Sequence, residues 1–254
     1  MTIDHHDVNA EPQQLSAIRH FGTQSEQLGL GLGAGAAHYR AYVGPPDDYD
    51  LVAAMCFGLL TSLGLRGRHR LLDVGCGSLR LGRLLVPYLN EGNYYGLEPN
   101  KWLVDDGLSL ELGHDILSLK KPTFSYTDST KQIGKKEFFD FAIAQSIFSH
   151  CGPDLLSRHL IEINDALTPG GVLLATFIKG EANTEKEGWI YPQCVEYTPT
   201  YISQAAGACG YEFQMLDWLH PRQSWALFAK PGFDRSWFAD RPLTWNTWLQ
   251  HGPK

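Results

Sequence analysis

The stretch Leu71–Gly82, LLDVGCGSLRLG, decides how the rest of the chain is read. An apolar run ends with the acid Asp73 followed by Val74. Gly75 and Gly77 follow one residue apart, and helix-forming sequence begins at Ser78. Apolar strand, glycine turn and helix in that order form a loop whose backbone can lie against a ligand, because glycine carries no side chain to hold it off.

Outward from this loop, strand and helix signals alternate. DDYDLVAAMCFGLLTSLGL reads as a helix with acids in its first turn, where the helix dipole favours them. RLLDV is a short buried strand, Ser78–Leu89 a helix and NYYGLE the second strand. Asn100 is placed to cap the helix KWLVDDGLSLELG. TFSY and FFDFAIA are the third and fourth strands. The helix DLLSRHLIEINDAL, the turn Thr168–Gly171 and the strand VLLATF come next. A helix from Pro199 and the strands YEFQMLD and SWALFAK complete the pattern. Such alternation predicts a mostly parallel sheet with helices on both faces and ligands beyond the carboxyl ends of the strands.

We expect an N-terminal cover over 1–47, an α/β domain over 48–230 and an aromatic tail over 231–254. Trp237, Trp245 and Trp248 make that tail apolar enough to dock on its own domain or on a second subunit, so a homodimer is a natural expectation. The glycine-rich segment Leu28–Gly44 lacks the Lys-Ser/Thr of a phosphate loop and reads as a flap or an irregular approach to the first long helix.

Bulk composition bounds the function. The 254 residues are 43% hydrophobic and 19% charged, enough for a core that needs no staples. A net charge of −7 argues against nucleic acid as a partner, and Arg66, Arg68, His69 and Arg70 read as a solvated turn. Five cysteines without CxxC spacing suggest neither a disulfide framework nor a zinc site, and no other metal constellation is visible. A reducing, cytoplasmic setting is expected. The polar N-terminus lacks a signal-peptide core, and the apolar run Leu51–Leu65 is too short for a bilayer, so no membrane partner is expected.

Two ligand classes use a strand–glycine loop–helix. A dinucleotide site wants a third glycine where this chain has Arg80, and Asp73 would repel a pyrophosphate. Asp73 suits a ligand with an ammonium and a sulfonium instead. With that, the chain resembles the class I S-adenosylmethionine-dependent methyltransferases from about Asp50 to Lys230. DVGCG looks like the first motif and LEPN the second. TDS looks like the segment after the third strand, FFDFAIAQSIFSH the fourth-strand motif and LTPGGVLLATF the turn and fifth strand. The resemblance implies a Rossmann-like, seven-stranded α/β fold and S-adenosyl-L-methionine as cofactor. It places the cofactor against Asp73, Gly75, Cys76, Gly77, Glu98, Pro99, Asp128, Ser129, Gln145 and Ser146. Glu98 falls where the family holds the two ribose hydroxyls, and Asp128 where it meets the adenine amine, although TDST also reads as plain turn chemistry. The sequence departs from the family at Leu79, where a third glycine is usual.

Methyl transfer is an in-line displacement, and a hydroxyl or amine acceptor must also lose a proton to a base. His150, just past the fourth strand, is the candidate base; a buttress for the following helix is the competing role. Cys151 reads as a small structural thiol. The long connection Ile178–Thr200 supplies Trp189, Tyr191 and Tyr197 as one wall of an acceptor pocket, with Tyr39 and Tyr42 of the cover as the other; core packing is the bland alternative for each. SIFSH resembles the SVFTH-type motif of small-molecule methyltransferases, so a small acceptor methylated at oxygen is expected. A protein or RNA acceptor, a non-catalytic cofactor-binding module and, more distantly, a nicotinamide dehydrogenase are the competing readings.

Overall fold

A computed structural model describes residues 24–236, and the chain divides into two compact units after Tyr49. Trp237, Trp245 and Trp248 lie outside the described residues.

The first unit contains the short helices α1 (Gln24–Leu28) and α2 (Tyr39–Tyr42), joined by turns through the glycine-rich segment. His38 caps α2, accepting from the Arg40 backbone N–H through Nδ1 at 3.3 Å. The Arg40 guanidinium lies 4.5 Å from the Tyr49 ring centre, and its Nε donates to the Tyr39 hydroxyl at 3.0 Å. Cation–π contact and a hydrogen bond together hold this small unit around Arg40.

The second unit is built on one sheet, in the strand order β3-β2-β1-β4-β5-β8-β7. Its strands are β1 (Leu71–Val74), β2 (Tyr94–Leu97), β3 (Thr123–Ser125), β4 (Phe139–Ala144), β5 (Leu167–Lys179), β6 (Glu196–Tyr197), β7 (Glu212–Leu216) and β8 (Ser224–Ala229). β1 to β5 pair in parallel; β8 runs antiparallel to both β5 and β7. The helices are α3 (Tyr49–Ser62), α4 (Gly82–Tyr88), α5 (Lys101–Gly107), α6 (Asp115–Lys120), α7 (Pro153–Ala166) and α8 (Pro199–Ala208).

The central strands read as unbroken apolar runs because both faces of the sheet are covered. Leu72, Val74, Ala142, Ala144, Leu173 and Phe228 pack into the cluster that holds Leu156, Leu160 and Ile163 of α7. Their alternates Leu71, Phe141, Ile143, Leu174 and Leu227 pack with Val52, Cys56 and Leu59 of α3. The two-residue period of a strand sorts a continuous apolar run into two cores.

Several local expectations change. The sheet has eight strands, not seven, because β6 from the long connection pairs in parallel with Ile178 and Lys179 of β5. The Thr168–Gly171 turn is absorbed into β5 as a register shift opposite Phe139 and Phe141. The helix read from Lys101 to Gly113 gives way to a π-type turn over Leu108–Leu112. The helix expected from Ser78 starts only at Gly82, because Gly75, Gly77 and Leu79 all have positive φ, at 70°, 54° and 60°.

Leu79 therefore occupies the family's glycine position in the conformation a glycine would adopt. A left-handed leucine costs about 1–2 kcal/mol. Its side chain is fully buried with Cys76, Val104 and Leu108, and stripping a buried leucine costs about 2–5 kcal/mol. Burial wins, so Leu79→Gly is expected to destabilise the protein by about 2 kcal/mol in denaturant unfolding. A stabilised variant would show that strain dominates there.

Candidate active site

The glycine loop emerges from β1 between the ends of β2 and β4. Its approach to neighbouring backbone is close: a Cβ on Gly107 of α5 would lie 2.3 Å from the Ser78 carbonyl oxygen. α5 thus packs directly on the loop and holds its shape. Gly75 faces Ile147, whose Cδ1 would be 2.1 Å from an added Cβ.

Glu98 directly follows β2 and is buried beside this loop. Its Oε2 accepts the Gly77 backbone N–H at 3.1 Å; its Oε1 accepts the Asn100 backbone N–H and Nδ2 at 2.8 and 2.9 Å. Asn100 precedes α5 as expected, but its side chain serves Glu98 and makes no helix cap. Burial pushes the Glu98 carboxyl above its ordinary range, against the pull of those three N–H donors. The carboxylate is held in one orientation, and Oε2 keeps acceptor capacity for a hydroxyl donor. Pro99 is exposed between the two.

Asp73 is buried, with the Tyr94 hydroxyl donating to Oδ2 at 2.8 Å. Desolvation raises its pKa to about 7, against the Tyr94 hydrogen bond and the Arg80 charge. Cys76 is buried alongside, its thiol pushed well above its usual value by burial. Its backbone N–H donates to the Leu97 carbonyl at 2.9 Å, so the loop is pinned to the end of β2.

At the end of β4, Gln145 Oε1 accepts from the Arg80 guanidinium, and Gln145 Nε2 lies 3.2 Å from His220 Nε2. Ser146 has φ 64°; its N–H donates to Thr176 Oγ1 at 2.7 Å, and its Oγ accepts from Gln223 Nε2 at 2.5 Å. A left-handed non-glycine at a strand end, held by two side chains, is strain of the sort that accumulates at functional sites. Arg80, His220 and Gln223 carried no site expectation from sequence. They come from segments 65 to 78 residues distant from Gln145 and Ser146, and no short motif joins them.

His150 is buried, and its Nδ1 lies 2.7 Å from the Gln193 carbonyl oxygen. A carbonyl only accepts, so Nδ1 carries the proton and Nε2 the lone pair. Burial holds its pKa below the ordinary histidine value, opposed by the Gln193 hydrogen bond. The ring meets Tyr191 at 5.1 Å and Trp189 at 6.0 Å between centres. Backbone hydrogen bonds from Gly152, Ile190 and Val195 tie residues 188–195 to 149–152. The long connection is therefore strapped across the end of β4.

The other predicted residues make contacts of their own. Tyr197 is core, not a pocket wall: it is fully buried, stacked on Tyr201 at 5.3 Å, with its hydroxyl donating to the Cys151 carbonyl at 2.7 Å. An aromatic in a long connection was drawn inward because β6 carries it onto the sheet. Cys151 is fully buried, its thiol raised to about 12 by desolvation, which makes it inert as a nucleophile. The Asp128 carboxylate accepts from Arg158 Nη2 at 2.6 Å and is held below its usual range by that guanidinium. Ser129 Oγ donates to Glu162 at 2.9 Å. Both therefore hold the loop after β3 to α7. Tyr39 and Tyr42 lie in the first unit, Tyr39 buried and Tyr42 half-buried. Among the described residues, no cluster of His, Cys, Asp and Glu is placed to hold a metal, and no helix is long and apolar enough to cross a membrane.

Residues 72–173 match the family described as a methyltransferase domain. The fold is shared with the magnesium protoporphyrin IX methyltransferase ChlM of Synechocystis PCC 6803, solved with S-adenosylmethionine bound: 14% identity, 87% of this chain and 99% of that one, TM-score 0.56. DhpI, solved with S-adenosylhomocysteine, matches over 82% of this chain and 95% of its own at 16% identity and TM-score 0.57. The [4+2]-cyclase SpnF also shares it, over 70% of this chain and 80% of that one, at 17% identity and TM-score 0.54. The glycine cradle, the fixed Glu98 and the buried Asp73 fit the cofactor that the domain implies. The matched segment takes in the glycine loop, Glu98 and the end of β4, and the fold is shared with methyltransferases solved with S-adenosylmethionine or S-adenosylhomocysteine bound.

Proposed function

We propose that the protein methylates a small-molecule acceptor at oxygen, with His150 as the base that takes the acceptor proton. The observation that carries this reading is the state of His150: Nδ1–H is committed to the Gln193 carbonyl, Nε2 keeps its lone pair, and burial keeps the ring neutral. A neutral imidazole in a fixed tautomer accepts a proton without first losing one. When bound, S-adenosylmethionine supplies a methyl group already activated by a positive sulfur.

The chain's own residues bind, orient and exclude water. Glu98 takes the ribose hydroxyls, the backbone of Gly75, Cys76 and Gly77 lies along the cofactor with Pro99 at the rim, and Asp73 offers a negative charge to its cationic end. Asp128 and Ser129 line the adenine side, and Gln145 and Ser146 the methyl side. Trp189 and Tyr191 form the acceptor wall beside His150; Trp189 is half exposed, as a wall open to an incoming ligand must be. A small acceptor accords with the fold shared with a magnesium protoporphyrin IX methyltransferase. The free cysteines favour a reducing, cytoplasmic setting.

The test is turnover: the protein with S-adenosylmethionine and a panel of hydroxylated small molecules, followed by formation of S-adenosylhomocysteine. Methylation confined to a protein or RNA substrate would overturn the small-molecule reading.

Asp73 gives the site a pH response of known sign. An acid raised to about 7 is protonated below that value and ionised above it. Binding of a cationic cofactor favours the ionised form, so affinity is expected to rise as pH increases from about 6 to 8. Titration calorimetry across that range should show the rise in the wild type and a flat profile in Asp73→Asn. Parallel profiles would remove Asp73 from the cofactor's charged end.

A further inference from the structure

We propose that Tyr94 is a positioning residue for cofactor binding: its hydroxyl holds the Asp73 carboxylate in one orientation and in its charged form for the cofactor's cationic end. The proposal rests on reading Asp73 as the group that meets that end. Tyr94 opens β2 and Asp73 is the third residue of β1. The parallel register pairs Leu71 with Tyr94, so the two-residue period of the strands puts Tyr94 and Asp73 on the same face of the sheet.

The seat for this hydroxyl is built from three elements. Both side chains are buried, and Tyr94 Oη donates to Asp73 Oδ2 at 2.8 Å. Phe124 of β3 meets the Tyr94 ring edge-on at 6.0 Å between centres, which fixes the ring. Gly82, the first residue of α4, leaves the room: a Cβ there would lie 2.8 Å from Tyr94 Oη. Gly82 does not adopt a left-handed backbone, so it is the missing side chain, not conformational freedom, that this position uses. Gly96, two residues past Tyr94, does the same for Cys76, whose Sγ would be 2.8 Å from an added Cβ. The thiol is thereby lodged on β2, where it interacts with the same hydroxyl.

The charges around Asp73 make this bond decisive. Burial raises the acid to about 7; the Tyr94 hydrogen bond opposes that rise more than the Arg80 charge does, and the Glu98 charge adds to it. Cys76 of the loop and Cys56 of α3 also face Asp73, and burial pushes the first well up and the second to about 12, so both stay neutral. Burial and the Asp73 charge hold the Tyr94 hydroxyl well above its ordinary range. It stays protonated at neutral pH and acts on the carboxylate as a donor, which stabilises the charged form. Loss of a hydrogen bond to a charged acceptor is therefore expected to move the ionisation of Asp73 upward by about one pH unit or more.

The test compares the wild type, Tyr94→Phe, Asp73→Asn and the double variant. In the ligand-free proteins the Asp73 carboxyl carbon is titrated by NMR, and its midpoint is expected to rise by about one unit or more in Tyr94→Phe. Coincident midpoints would overturn the proposal whatever the cofactor does. Calorimetry then follows the Kd for S-adenosylhomocysteine, which keeps the cofactor's ammonium. The ratio of variant to wild type cancels the ligand's own titration. Tyr94→Phe is expected to bind about fivefold or more weaker near pH 7 and to come within about twofold of the wild type near pH 9, where both carboxyls are ionised. A deficit of equal size at every pH would make Tyr94 a packing residue only and overturn the proposal. With Asp73→Asn already present, Tyr94→Phe should change the Kd less than about twofold, because no charge is left to hold; a full deficit there would also overturn it. Should Tyr94→Phe fail to fold, Gly82→Ala displaces the hydroxyl instead and carries the same expectations for the midpoint and the pH-dependent deficit. A midpoint that rises in the variant while wild-type binding ignores pH would instead defeat the reading of Asp73 on which the proposal stands.

Discussion

His150→Ala is expected to lower kcat by about 10²–10⁴-fold, the usual contribution of a positioned general base, while changing the affinity for S-adenosylhomocysteine less than about twofold, well inside one hydrogen bond's worth. The split follows from where the ring sits. It is strapped to the 188–195 connection through Gln193 and packed on Tyr191 and Trp189, whereas the expected cofactor contacts are made by the glycine loop and β2. The pH profile separates a base from a buttress. Burial holds the His150 pKa below the ordinary 6.5, so kcat should be level at neutral pH and fall only as pH drops through that lowered value. His150→Asn, whose amide nitrogen takes the place of Nδ1, keeps an N–H donor for the Gln193 carbonyl and removes the titration, so the low activity that remains should lack the acid limb. Equal turnover in both variants would assign His150 to structure.

Removing the carboxylate of Glu98 should act on the other half of the reaction. Glu98→Ala is expected to weaken cofactor binding at least about tenfold, the effect of losing hydrogen bonds to a charged acceptor, which contribute roughly 1.5–3 kcal/mol. The substitution also frees the Gly77 N–H and both Asn100 donors that now define the loop's shape. Glu98→Gln, which keeps one acceptor oxygen, should fall between. Calorimetry with S-adenosylhomocysteine reads the effect without turnover, and an unchanged Kd would take Glu98 out of the ribose site.

Much of this fold could be read from local pattern. Four consecutive apolar or acid-terminated residues before Gly75 announced β1, and the runs at Tyr94–Leu97 and Phe139–Ala144 announced its two neighbours. A strand buried on both faces has an unmistakable composition, and a glycine pair after it has few uses. Glu98 was legible for the same reason, since its place at the end of the next parallel strand follows from chain order alone.

The errors share a cause too. Leu79 hid a left-handed turn, because propensity says leucine continues a helix while the packing of α5 on the loop, through Gly107, sets the backbone otherwise. Tyr197 looked like a pocket aromatic until β6 paired with β5 and carried it into the core. Arg80, Gln145 and His220 have no common motif and meet because β1, β4 and β8 lie near one another in the sheet. Spacing along the chain encodes which residues leave water, and through the strand–helix order it encodes the architecture. Which polar groups then face one another is set by long-range pairing and side-chain packing, whose geometry no local period records.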